Sequence, residues 1–172
     1  MAATIVATAG SASANSYCLL TEAEAFCDTH PYTEAWDAAS ADMRKRAIIT
    51  ATRLIDQRIE WSGHATDTTQ ALAWPRVGMV NRNYVAIDED VVPTDLKNAT
   101  ADFARIMLEH DYTADNAAGR DGLSRVKAGP VEIDYRDAGL AGKMIPDSVW
   151  SMLEIWGQVR ERSSGMATLS RS

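Results

Sequence analysis

The sequence predicts a mainly α protein: a small helical bundle with a short β-strand or hairpin near residues 124–136 and extended arms at both ends. Three observations lead there. Apolar residues recur at helical spacing in residues 41–59, 93–110 and 146–156, which marks amphipathic helices. The period changes to two in residues 131–135, the mark of a half-buried strand. Both ends are small and polar, with few apolar side chains to hold them on a core. At 172 residues the chain is sized for one domain. It divides into an arm (1–16), a helical body (17–156) with a loop and β insertion at 112–142, and a second arm (157–172).

In the first arm, Ile5 and Val6 are the sizeable apolar pair, as expected of an extended strand that adds to a neighbour. Thr21, with Glu24 three residues on, has the capping-box pattern and should open a helix with Leu20, Ala23, Phe26 and Cys27 inward. His30-Pro31 should end it, leaving Trp36 in a connection. Ser40 is the expected N-cap of the longest helix. Its inner stripe is Ile48, Ala51, Ile55 and Ile59, with Leu54 beside it, and Arg46, Arg53 and Gln57 lie opposite. Trp61-Ser62-Gly63 reads as a stop, followed by a polar turn at 66–69.

Residues 71–92 are too apolar for a free linker, so they should wrap the body, pinned by Trp74 and Val91/Val92. Pro93 suits the first turn of the next helix, since its missing N–H has no helical partner there. Leu96, Ala99, Phe103, Ile106 and Met107 form the inward face. Lys97, Asp102, Arg105 and Glu109 fall outside it, with Arg105 and Glu109 as a solvent-side pair. The Gly/Asp/Asn-rich 112–122 stretch is a loop, and 124–128 is the expected hairpin partner of 131–135. Pro146 should open the last helix, with Val149, Met152, Leu153 and Trp156 on one face.

The net charge of −7 argues against a dedicated nucleic-acid binder, which normally presents a basic face. No run approaches the roughly 18 apolar residues of a membrane span, and the N-terminus makes a poor signal peptide. Cys18 and Cys27 fit reduced thiols in an intracellular protein. His30, His64 and His110 share no ligand spacing, so no metal site is expected. Asp88-Glu89-Asp90 reads as a solvated loop rather than a calcium loop. Phosphate-cradling and nucleophile-elbow motifs are missing, so neither catalytic residues nor a cofactor are expected. Trp61, Trp74 with Arg76, Arg82 with Tyr84, and Tyr135 with Arg136 could stack bases and hold phosphates. The apolar patterns around Trp74 and Tyr135 favour packing and subunit contacts instead.

One series of segments carries a resemblance. It runs Ala14-Asn15-Ser16-Tyr17, Thr21-Glu22-Ala23-Glu24-Ala25, Ala51-Thr52-Arg53-Leu54-Ile55-Asp56 and Trp61-Ser62-Gly63. It continues through Ala71-Leu72-Ala73-Trp74-Pro75-Arg76-Val77-Gly78, Val92-Pro93, Leu96-Lys97-Asn98-Ala99 and Lys127-Ala128-Gly129-Pro130-Val131. Over residues 14–156 the chain resembles the head–tail connector (adaptor) proteins of tailed bacteriophages, related to a group labelled DnaT-like single-stranded-DNA-binding proteins. The resemblance implies a non-enzymatic virion protein at the neck, present in the host cytoplasm during assembly. It implies a dodecameric ring between the portal and the tail or head-completion proteins, with genomic double-stranded DNA passing through and no membrane contact. Single-stranded-DNA binding in replication is the alternative. In the ring reading, Ile5, Val6, Arg76, Val131, Ile133 and Tyr135 are candidate inter-subunit residues. Arg160, Arg162, Met166, Leu169 and Arg171 are candidate contacts of a C-terminal arm with the portal.

Overall fold

A computed structural model describes residues 2–112 and 145–160, together with the backbone of Arg125–Ala128 and Val131–Asp134. The expected mainly α bundle with short hairpins is what it contains. Its helices are α1 (Leu20–Cys27), α2 (Glu34–Ala38), α3 (Ala41–Arg58), α4 (Thr94–Met107) and α5 (Asp147–Leu153), the last running into a 3-10 turn at Glu154–Trp156. Among the described residues, three two-stranded antiparallel ribbons accompany them. β1 (Ile59–Trp61) pairs with β6 (Gly157–Val159), β2 (His64–Ala65) with β3 (Arg76–Val77), and β4 (Arg125–Ala128) with β5 (Val131–Asp134).

The core is organised around α4, which packs against α1, α3 and α5. Leu96, Ala99, Phe103 and Ala104 are buried there as their spacing predicts. Asp102 and Arg105 are buried too, which corrects the solvent-side reading. A helix surrounded on three sides needs more than one apolar stripe. Its polar residues can enter the core only if they satisfy one another. Arg105 places Nε and Nη2 on Asp102 Oδ1 at 3.1 and 2.9 Å, and Nη1 on the Tyr32 carbonyl at 3.1 Å. Ser148 Oγ donates to Asp102 Oδ2 at 2.8 Å, which ties α5 to the same pair.

On α3, Ile48, Ala51, Leu54 and Ile55 face inward, with Ile59 just beyond the helix end. Ser40 caps the helix as expected, its side chain accepting from the Met43 N–H. Ser40→Ala should cost about 1 kcal/mol, measured as a shift in urea midpoint at constant slope. The first helix departs from the sequence reading. It begins at Leu20 with Leu19 at the N-cap, and the Glu22 carboxylate accepts the Leu19 N–H at 2.7 Å. Burial of Tyr17 and Cys18 sets the entry point earlier than Thr21. Pro93 and Pro146 sit at N-cap rather than first-turn positions, both in extended conformation.

Trp36 is not in a connection but in α2, where it is buried. Arg44 lies over its ring at 5.4 Å, donates to the Trp36 carbonyl at 2.9 Å and pairs with Glu24 at 3.3 Å. One side chain thereby joins α2 and α1 to α3.

Helix α3 ends at Arg58, ahead of the Trp61-Ser62-Gly63 stop, and the chain runs on through β1. It turns at Gly63, whose φ is +67° and whose Cβ position would collide with the Val77 carbonyl, and enters β2. Gly157–Val159, expected to begin the C-terminal arm, instead pairs with β1 in the register Ile59↔Val159 and Trp61↔Gly157. A Cβ on Gly157 would lie 2.5 Å from the Glu60 carbonyl oxygen, so the approach of the two strands demands glycine there. The β4–β5 hairpin has the register Arg125↔Asp134 to Ala128↔Val131, within the predicted 124–136 span.

Candidate partner-binding surface

The segment from Ser62 to Val92 is bound down at one end and raised at the other. At the bound end, Trp74 is 1% exposed and lies between two other tryptophans. It meets Trp61 edge-on at 5.7 Å and Trp156 at 5.2 Å. The peptide joining Trp74 to Pro75 is cis. Arg76 follows, with Nε on the Ser62 carbonyl at 2.6 Å, Nη2 on Gly63 at 2.8 Å and Nη1 on Ala73 at 3.0 Å. The guanidinium is engaged within its own chain.

A buried carboxylate anchors the same segment. Asp56 Oδ2 accepts the Ala73 N–H at 3.0 Å and Oδ1 accepts the Tyr17 hydroxyl. Burial raises the Asp56 pKa above the usual carboxylate value, and the donated hydrogen bonds only partly offset this. Burial also lifts the Tyr17 phenol well above its ordinary range. The sign for Asp56 follows from linkage: the folded state holds the proton more tightly than the unfolded state. This term therefore favours folding at low pH and is lost as pH rises through the carboxylate range. Asp56→Ala should lose about 1–3 kcal/mol by leaving two buried donors without acceptors. Asp56→Asn should recover most of that, since its amide can accept from Ala73 while donating to Tyr17, and should remove this pH-dependent term. Urea titrations of the three proteins from pH 4 to 7 would check both points.

The raised end is a small hairpin from Met79 to Ile87. Asn81 organises it: its side chain accepts the Asn83 and Val85 N–H groups at 2.9 and 3.1 Å, while its own N–H donates to Val85 O at 2.8 Å. Arg82 clamps the hairpin to the body through the Ser151 carbonyl and Glu154. Trp156 Nε1 donates to the Val80 carbonyl at 2.7 Å. At the tip, Tyr84 is 89% exposed with φ +60°, a costly conformation for an aromatic residue. Val80, Val85, Val91 and Ile155 are exposed beside it or on the elements it is clamped to. Asp88, Glu89 and Asp90 follow, all exposed, and their carboxylates form no ion pair among the described residues. Val92 is buried and pins the segment, whereas Val91 is not. The sequence marks the turn, through the polar run Asn81-Arg82-Asn83 inside an apolar segment, but not the exposure of Tyr84 at its tip.

The candidate residues named from sequence are scattered over the chain. Ile5 is half-buried against the core of its own chain. Val6 is held by Asn15, whose Oδ1 accepts its N–H at 2.8 Å and whose N–H donates to its carbonyl at 2.9 Å. Arg76 is the clamp described above. Val131 and Ile133 lie in β5 opposite Ala128 and Val126. Arg160 is exposed, and its N–H donates to the Arg58 carbonyl at 2.8 Å. Tyr135, Arg162, Met166, Leu169 and Arg171 lie outside the described residues, as does most of the 112–122 loop.

Other chemistry is sparse. Cys18 and Cys27 are free and buried, and burial pushes both thiols up to about 12, so they stay protonated at neutral pH. Among the described residues no group of three or more His, Cys, Asp or Glu converges as a metal site, and no helix is long and apolar enough to cross a membrane.

The family model described as "Putative DnaT-like ssDNA binding protein" matches residues 1–172. No curated protein and no solved structure matches the chain. With the match running over its whole length, this chain belongs to the DnaT-like ssDNA-binding protein family.

Proposed function

We propose that this protein is a non-enzymatic structural adaptor of a tailed-bacteriophage virion. Copies form a dodecameric ring at the neck, between the portal and the tail or head-completion proteins, and genomic double-stranded DNA passes through without specific binding. The observation that carries this reading is where the aromatic and basic groups go. Single-strand binding needs exposed aromatic faces beside free cations. Here Trp36, Trp74 and Trp156 are core, Arg44, Arg76 and Arg105 are engaged by carbonyls and carboxylates, and Arg82, beside the exposed Tyr84, is held by the Ser151 carbonyl and Glu154. What is offered outward among the described residues is an apolar tip and an acidic run, the material of protein–protein contacts. The acidic total also suits a passage that DNA must not stick to.

Sedimentation of the purified protein with and without its portal tests this. A monomer or weak oligomer that becomes a ring on the portal is expected. A tight, portal-independent dimer would count against it.

A second reading, single-stranded-DNA binding in replication, is supported by the description of the family. The family comparison speaks for this reading alone, whereas the placement of aromatic and basic groups speaks for the first. The two separate on short single strands titrated at low and high salt. A strand binder binds at low salt and loses affinity steeply through counterion release. Absence of binding at low salt removes the second reading.

A further inference from the structure

We infer that the Val80–Val91 hairpin face is the docking site for the C-terminal tail, residues 161–172, of a second copy of this chain, in place of the portal contact that the resemblance implies for that tail. The inference rests on the ring reading in that it names the contact that joins neighbouring copies.

The face has an apolar anchor and a uniform charge beside it. Tyr84 and Val85 are 89% and 58% exposed, and the loop is locked around them by Asn81 and Arg82 rather than free to fold them away. Rigid, exposed aromatics serve well as anchors because little entropy is lost on contact. Asp88, Glu89 and Asp90 present carboxylates with no ion pair among the described residues. The tail has the complementary make-up. Arg162 and Arg171, preceded by Arg160, stand against the single acid Glu161, and Met166 and Leu169 are its sizeable apolar residues.

The geometry of β6 selects a second copy over the same chain. β6 starts beside the hairpin, since Trp156 Nε1 is bonded to the Val80 carbonyl. It then runs antiparallel to β1, and Arg160 emerges at the Arg58 end. The strand thus carries the chain away from its own hairpin, and the tail would have to double back to reach it. A tail that leaves one copy and seats on a different surface of the next makes a heterologous contact. Such contacts close into a ring when the rotation allows.

Cysteine cross-linking tests the contact, using full-length Tyr84→Cys and Leu169→Cys proteins and a short bismaleimide. The native thiols are buried, and the unsubstituted protein reports any reaction they give. At high protein concentration, a mixture of the two variants should yield a linked dimer that neither gives alone, and the double variant should yield a ladder of higher species. Reversing Asp88, Glu89 and Asp90 to lysine should cut the yield about tenfold, because three exposed attractions become repulsions. Half-molar salt should lower it too. No linked product in the mixture, or only an intramolecular link in the double variant, overturns the inference. So does a yield unmoved by the charge reversal. Portal-nucleated ring formation is scored separately. Rings without the cross-link would remove this contact and leave the adaptor reading, whereas the cross-link without rings would do the opposite.

Discussion

Replacing Trp74 with alanine is expected to destabilise the protein by about 3–5 kcal/mol, the range for deleting a large buried aromatic side chain. The residue is 1% exposed and packs edge-on against both Trp61 and Trp156. Deleting it removes apolar burial and opens a cavity that two rigid indoles cannot collapse into, and it forfeits two aromatic contacts worth about 0.5–1.5 kcal/mol each. The loss should spread. Trp156 leads into β6 and holds Val80, so the β1–β6 ribbon and the raised hairpin both depend on this packing. Trp74→Phe should cost much less, because the Trp74 indole N–H is buried with no hydrogen-bond partner. Guanidinium unfolding followed by far-ultraviolet circular dichroism would check the pair. An alanine variant within 1 kcal/mol of the parent, on the order of an ordinary surface change, would refute the proposed role.

The second large effect is expected at Asp102. Asp102→Ala strands the buried Arg105 guanidinium, which loses both bonds to Asp102 Oδ1 and keeps the Tyr32 carbonyl and a more exposed Glu109. It also removes the acceptor of Ser148 Oγ, and with it a tie between α4 and α5. Breaking one half of a buried ion pair typically costs about 3–5 kcal/mol. Replacing both partners with leucine should cost less than Asp102→Ala alone, since no uncompensated charge is left inside. A double-mutant cycle on unfolding free energies measures this directly. Simple addition of the two single effects would show that the partners act independently and would contradict the account.

How much of this was legible in advance depends on how local the cause was. Ser40 and the Ile48–Ile55 stripe were readable because a cap and a helical period are properties of a few adjacent residues. Val149, Leu153 and Trp156 were readable for the same reason. The β4–β5 hairpin was readable because alternation and a Gly-Pro pair sit side by side in the sequence. Asp102 and Arg105 were misplaced because they fall outside the apolar stripe, and the i, i+4 spacing of Arg105 and Glu109 suits a surface pair as well as a buried one. Only the packing of α1, α3 and α5 around α4 decides between them. The raised hairpin was half visible. Its turn residues announced a bend, but the exposure of Tyr84 depends on Arg82 reaching Ser151 and Glu154, far along the chain.

The sequence by itself determined the fold class and the positions of the principal helices and ribbon, and of the family resemblance it carried the DnaT-like part, because these follow from local periodicity and from motifs in a fixed order. Tertiary structure alone decided the rest. It showed that Trp74-Pro75-Arg76 is an internal lock, that Asp56 is an inward acceptor, and that residues 157–159 close a ribbon on the body instead of leaving it. These are pairings across long stretches of chain, and whether a tryptophan, an arginine or a glycine faces a partner or its own core depends on what folds against it. Composition cannot encode that choice, because the same side chain makes the same bonds wherever its donors and acceptors are brought to it.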